Sequence, residues 1–295
     1  MPAPALLRIP SIPDREMATE RPTASVGALC DYLAPCRRLL VLTGAGVSTA
    51  SGIPAYRDVD GQWRRRQPIM YPAFANEPAS RQRYWARSYV GWPLVATAKP
   101  SSAHFLFAEL EQLGCIDQLI TQNVDQLHQQ AGSTRVLDLH GNLHQVRCMD
   151  CGHRLSRQHM QAALTAANPD WQAQALAWRP DGDAELEAEA VKDFVVPACE
   201  RCGGRLKPDV VFFGESVPVS STQRVQQAVE GCDGLLVVGS SLVVMSGYRI
   251  VRQVAQRGLP TAAVNMGRTR ADELLGLKCA VDCQHALQAL CQISR

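Results

Sequence analysis

Cys148-Met149-Asp150-Cys151 and Cys199-Glu200-Arg201-Cys202 are two thiol pairs of identical spacing, each followed by a glycine, Gly152 and Gly203. The spacing suits zinc, because four thiolates close a tetrahedron around it and a glycine lets the chain turn sharply beside the metal. A closed shell leaves no position for an activated water, so the site reads as structural, with one zinc on Cys148, Cys151, Cys199 and Cys202. Gly44-Ala45-Gly46-Val47-Ser48 is a glycine-rich turn whose backbone N–H groups could approach a phosphate. The dinucleotide fingerprint is incomplete: Thr49 stands where its third glycine belongs, and no strand ending in an acidic residue follows about twenty residues on. A plain tight turn stays open beside phosphate binding, and a dehydrogenase is not the inference. His140, directly before Gly141, offers an imidazole whose ordinary pKa of about 6.5 suits general acid–base work near neutrality.

These groups must be held by an α/β framework. Leu39 to Leu42 forms an apolar strand running into the glycine turn, and four more short apolar runs end in polar residues or glycine. They are 118–120 into Thr121-Gln122-Asn123, 136–139 into His140, 235–238 into Gly239-Ser240-Ser241, and 261–264 into Asn265. Between several of them lie helical patterns, such as Ala103, Leu106, Leu110 and Leu113 with Ser101 or Ser102 as cap. Alternating strands and helices predict an α/β fold with a Rossmann-like parallel sheet, helices on both faces, and ligands beyond the carboxyl ends of the strands. Segments 58–92 and 147–206 break the rhythm and are expected to form a smaller domain, a helical module plus a zinc-binding ribbon. The large domain then comprises 26–57, 93–146 and 207–295. The acidic run from Asp181 to Glu189 reads as a solvated loop or helix face. His104 and His128 lie in helical patterns and read as core or capping groups. Trp63, Trp85 and Trp92 read equally as a channel lining and as the core of the smaller domain.

The chain has 295 residues, 46% hydrophobic and 20% charged, which suits a globular protein with its own core. A net charge of +2 supplies no global field for nucleic acid or an anionic membrane. The longest uncharged apolar stretch, 234–248, is shorter than a bilayer span of about 20 residues. Eleven cysteines, an odd number split between paired and scattered positions, suit a reducing, cytoplasmic compartment. Residues 1–25, proline-rich and without an apolar signal core, read as a flexible arm.

Taken in order, Gly44 to Ser48, Gly52-Ile53-Pro54-Ala55-Tyr56-Arg57, Thr121-Gln122-Asn123-Val124-Asp125, Leu127-His128, His140-Gly141, the two cysteine pairs, Phe213-Gly214-Glu215, Gly239-Ser240-Ser241 and Val264-Asn265 resemble the sirtuins, NAD-dependent protein-lysine deacylases. The resemblance runs from about residue 30 to the C-terminus, and segments 82–93 and 206–215 are similar to the class II branch. It departs at Ala55, where the family usually has Asp. The resemblance implies NAD in a cleft between the two domains. Gly44, Ala45, Gly46, Ser48, Ile53, Pro54 and Arg57 would flank its phosphates and nicotinamide ribose, and Gln122, Asn123 and Asp125 its nicotinamide end. Gly239, Ser240 and Ser241 would take the phosphates and adenosine ribose, and Asn265, Met266, Gly267 and Cys283 the adenosine side.

Acylated lysine side chains of proteins would be the partners. His140 would act as general base on a ribose hydroxyl, with Asn123 the second catalytic residue, and the products would be lysine, nicotinamide and O-acyl-ADP-ribose. Phe213, Gly214 and Glu215 would meet the substrate. Tyr84 and Arg87 have the Tyr-x-x-Arg spacing of the desuccinylating sirtuins, and residues three apart on a helix can converge on one anion. That spacing implies acyl groups longer than acetyl; the bland reading is a structural Arg87. Mono-ADP-ribosyl transfer to protein would use the same activated ribose. A non-catalytic zinc ribbon binding nucleic acid is the remaining alternative, disfavoured by the near-neutral charge.

Overall fold

The computed structural model describes residues 21–55, 68–178, 183–187 and 189–294. Six strands form one sheet in which every neighbouring pair is parallel: β1 (Leu39–Thr43), β2 (Ile116–Thr121) and β3 (Val136–Asp138) on one side, with β9 (Gly234–Val238), β10 (Thr261–Val264) and β11 (Leu277–Cys279) on the other. Their order is β11-β10-β9-β1-β2-β3, so the winding reverses between β1 and β9. That reversal opens a crevice above the carboxyl ends of the central strands.

The central strands are buried on both faces, which is why they read as continuous apolar runs rather than alternating ones. Alternate residues nevertheless serve different cores. Leu39, Val41, Leu236, Val238 and Val264 pack with α1 (Val26–Leu33), α4 (Ser102–Gln112) and α9 (Cys283–Ser294) on one face. Leu40, Leu42, Leu235, Val237 and Ala263 pack with α7 (Val219–Gly231) and α8 (Met245–Gln256) on the other. The expected Rossmann-like sheet with helices on both faces is therefore what the chain builds. A four-residue helix α5 (Leu127–Gln130) follows β2.

A second sheet of three antiparallel strands, in the order β5-β4-β8, joins β4 (Gly141–Cys148) to β5 (Arg154–Ser156) and β8 (Leu206–Val210). It takes in residues 141–146 and 207–210, and so reaches across the boundaries expected at 146/147 and 206/207. With α2 (Tyr71–Asn76), α3 (Pro78–Thr97) and α6 (Arg157–Ala167) it encloses a core of Phe74, Tyr84, Trp85, Val146, Met160, Leu164 and Phe194. Two short antiparallel strands, β6 (Ala177–Trp178) and β7 (Ala184–Glu185), pair with each other, and β7 lies against α3.

Two sequence readings change here. Residues 21–25 of the expected arm are fastened to the large sheet, because Ala24 N donates to Lys278 O at 2.7 Å and Thr23 Oγ1 accepts from Ala280 N at 2.8 Å. In the acidic run, Asp183 is buried, since its carboxylate meets Arg87 Nη2 at 2.8 Å. Residues 1–20 of that arm and 179–182 lie outside the described residues.

Candidate active site and zinc centre

Register places Thr43, Thr121, Val238 and Val264 at one level across the sheet, so the turns that follow them share one edge. The glycine turn after β1 is fastened to the turn after β2. Ser48 Oγ donates to Asp125 Oδ2 at 2.7 Å and accepts from Asn123 Nδ2 at 3.0 Å, while the same amide donates to Gly44 O at 3.1 Å. Leu127 N completes the carboxylate, donating to Asp125 Oδ1 at 3.0 Å. Burial pushes the Asp125 carboxyl up from its ordinary value, against the backbone and Ser48 hydrogen bonds that lower it. Gln122 Nε2 reaches the turn after β9, donating to Ser240 Oγ at 2.7 Å. Gly46 N donates to Gly239 O at 2.9 Å, and the two glycine turns touch backbone to backbone.

His140 stands where β3 hands over to β4. Its Nδ1 lies 3.0 Å from the Gln122 carbonyl oxygen, which can only accept, so neutral His140 carries its proton on Nδ1 and its lone pair on Nε2. Burial pushes the imidazole below 6.5, so it is a neutral base at pH 7. Ser246 Oγ, at the start of α8, sits 2.8 Å from Nε2.

The other proposed cofactor residues divide as follows. Ala45 and Pro54 are half-buried beside the glycine turn, and Ile53 is buried against Ala98 and Leu127. Ser241 carries the carbonyl that accepts from Arg270 N at 2.9 Å. Asn265 Nδ2 donates to Gly267 O at 2.8 Å, Met266 is exposed, and burial pushes the Cys283 thiol up to about 12. Arg57 and Trp63 lie outside the described residues.

On the facing side, Val211 N donates to His140 O at 2.8 Å, which joins the start of segment 211–215 to the His140 backbone. Phe213 is half-buried and Gly214 exposed. Glu215 is turned inward, with Lys207 Nζ at 2.9 Å, Arg147 Nη2 at 3.3 Å and Phe212 N donating at 2.9 Å. Tyr84 and Arg87 do not form the expected clamp. Tyr84 packs edge-on against Phe74 and Trp85, while Arg87 is held by Asp183 and by Ala184 O, to which its Nε donates at 2.9 Å. The pairing geometry of a helix allowed convergence, but a carboxylate of the chain itself takes the guanidinium.

His104 and His128 are core groups, as read from sequence. His104 Nδ1 accepts from Ser101 N at 3.1 Å in a helix cap, and His128 Nε2 meets Thr43 Oγ1 at 3.0 Å. Trp85 is fully buried beneath Arg157, whose guanidinium also lies 5.0 Å from the Trp92 ring. Two residues escaped sequence reasoning. Nothing in the acidic run singled out Asp183, whereas Ser246 had a signal: a hydroxyl at the first turn of the helix that follows a strand-end glycine turn.

The Sγ atoms of Cys148, Cys151, Cys199 and Cys202 all lie within 4.8 Å of one another, with Cys148–Cys202 at 3.6 Å and Cys151–Cys199 at 3.8 Å. Zn–S bonds of about 2.3 Å in a tetrahedron require S···S edges of about 3.8 Å, so the four thiols fit zinc. Gly152 and Gly203 have φ of 72° and 70°, the tight turns expected behind each pair.

A parallel sheet with a glycine turn at its switch point, an imidazole beside it and a four-thiol zinc module define an NAD-binding α/β protein of sirtuin type. The Sir2 family model matches residues 44–246, and the chain belongs to that family. An NAD-dependent protein deacetylase of Bordetella bronchiseptica is 55% identical over 260 residues, 88% of this chain and 95% of that one. The mitochondrial NAD-dependent protein lipoamidase sirtuin-4 of Bos taurus is 46% identical over 259 residues, 87% of this chain and 82% of that one. A solved Sir2 structure with a p53 peptide and NAD+ superposes with a TM-score of 0.74 at 28% identity, covering 92% of this chain and 98% of that one.

Proposed function

We propose that this chain is an NAD-dependent protein-lysine deacylase with His140 as general base. The observation that carries the reading is the orientation of His140: Gln122 O fixes the proton on Nδ1 and leaves the lone pair on Nε2, 2.8 Å from the Ser246 hydroxyl. NAD supplies a ribose carbon activated by a cationic nicotinamide leaving group. The donor set fits it: uncharged amides and hydroxyls of Ser48, Gln122, Asn123, Ser240, Ser241 and Asn265 on one strand edge, with Asp125 and the Gly44–Gly46 and Gly239 turns between them. Ser48, Asn123 and Asp125 orient one another, so the nicotinamide end is assembled before ligand arrives. Nε2 of His140 takes the proton of a hydroxyl placed beside it, and burial keeps the imidazole neutral until that moment. Zinc holds β4, β8 and the cysteine turns together and takes no part in the reaction.

The substrates assigned are acylated lysines of proteins, entering along segment 211–214. The name of the bovine relative supports acyl chains longer than acetyl. The division of labour assigned is cofactor binding by 26–57, 93–146 and 207–295 and support by 58–92 and 147–206, allowing for the β4–β8 pairing. Bacterial relatives and eleven unpaired cysteines support a cytoplasmic location; among the described residues no helix is long and apolar enough to cross a membrane. The test is a panel of acyl-lysine peptides of increasing chain length, scored for NAD-dependent nicotinamide release and free lysine. Release without free lysine, with ADP-ribose found on protein, would replace deacylation by ADP-ribosyl transfer. Arg87→Ala should slow charged and uncharged acyl peptides alike, because its partner is Asp183.

A further inference from the structure

We propose that Ser246 is a positioning residue for His140, fixing the ring through Nε2 and keeping that nitrogen a hydrogen-bond acceptor. The inference rests on the assignment of His140 as general base and concerns a residue the sequence motifs do not include.

The geometry is a two-point mount. Gln122 O takes the Nδ1 proton at 3.0 Å and Ser246 Oγ donates to Nε2 at 2.8 Å, so the ring is gripped on both nitrogens and has one tautomer. The same helical turn that carries Ser246 also braces Gln122. A Cβ at Gly247 would stand 2.8 Å from Gln122 Oε1, so the glycine leaves room for the amide to lie against α8 and reach Ser240 Oγ at 2.7 Å. Ser246 and Gly247 therefore meet His140 and the Gln122 side chain from one helix end. With the Nδ1 proton taken by Gln122 O, the hydroxyl donates to Nε2 and so favours the neutral ring.

The groups around His140 on the packed elements are Asp138 on β3, His144 on β4, Asp209 on β8 and Asp125 after β2. None contributes to its depressed pKa, which comes from burial, opposed by the Gln122 contact. The hydroxyl that donates to the neutral ring disfavours the imidazolium, so its loss should raise the His140 pKa.

Ser246→Ala, Ser246→Thr and His140→Ala decide the matter in the full-length protein. The imidazole resonances of His140, identified by their loss in His140→Ala, are titrated by NMR without NAD. Ser246→Ala is expected to raise the His140 pKa by about half a unit or more. The acid limb of kcat/KM should move up by the same amount, and kcat should fall roughly tenfold with KM for NAD changed little. Ser246→Thr, which keeps the hydroxyl at a half-buried position, should restore all three. An unmoved His140 titration in a folded Ser246→Ala, or Thr behaving as Ala, overturns the proposal. If His140→Ala itself keeps wild-type activity, the assignment of the general base fails instead.

Discussion

Removing the Glu215 carboxylate should destabilise the protein without making it selective against any acyl group. Lys207 is the group left stranded: its side chain is 1% exposed and that of Glu215 12%. Burial pulls the Lys207 ammonium down from its ordinary 10.5 even with Glu215 beside it, so the pair exists because each charge compensates the other. Deleting one partner of such a pair costs about 3–5 kcal/mol. The lower end applies here, because Lys207 Nζ also donates to Val210 O at 2.5 Å and lies 5.0 Å from the Phe212 ring. Glu215→Ala should therefore lose about 3 kcal/mol in urea unfolding. The double variant Lys207→Met with Glu215→Leu should recover most of it, since no charge is then left buried. A loss below about 1 kcal/mol in Glu215→Ala, or a double variant as unstable as the sum of the two singles, would refute the inward assignment and return Glu215 to the substrate.

Cys148→Ser and Cys202→Ala should each lose zinc, and solubility with it, while wild-type protein carries one zinc per chain by metal analysis; much less than one would remove the structural metal. Gly141→Ala should cost at least about 2 kcal/mol and abolish activity, because φ is 74° and the added methyl would collide with the Asp209 carbonyl oxygen; near-wild-type melting would contradict the β4–β8 register. Burial holds the His104 pKa down at about 4, so the unfolded chain takes up a proton first as pH falls through 6.5. The His104 contribution is thus complete above pH 6.5 and about 3 kcal/mol is lost by pH 4, and His104→Leu should show a flatter stability curve over that interval.

Much of this was legible because the chemistry sits where strands end. Apolar runs marked β1, β2, β3, β9 and β10, and the residues just after them had to share an edge once the sheet was parallel. The two cysteine pairs were legible for a similar reason, since their spacing is local and zinc geometry does the rest. What the sequence did not carry was partner choice over distance. Arg87 could be read as a substrate clamp as readily as a structural charge because Asp183 lies 96 positions on in an unremarkable acidic run, and Glu215 was placed with the substrate because Lys207 turns toward it only when β8 is built. The zinc ribbon's sheet reaches into 141–146 because β4 continues unbroken from the His140 turn to Cys148, which no composition change announces.

The most direct test of the central claim is the turnover of one acyl-lysine peptide with NAD by wild-type protein and by His140→Ala, read as free lysine and nicotinamide alongside the Kd for NAD. The variant's kcat should be reduced by about 10²-fold or more, as for a positioned general base, with NAD affinity largely kept. A variant that retains more than about a tenth of the wild-type kcat would contradict it.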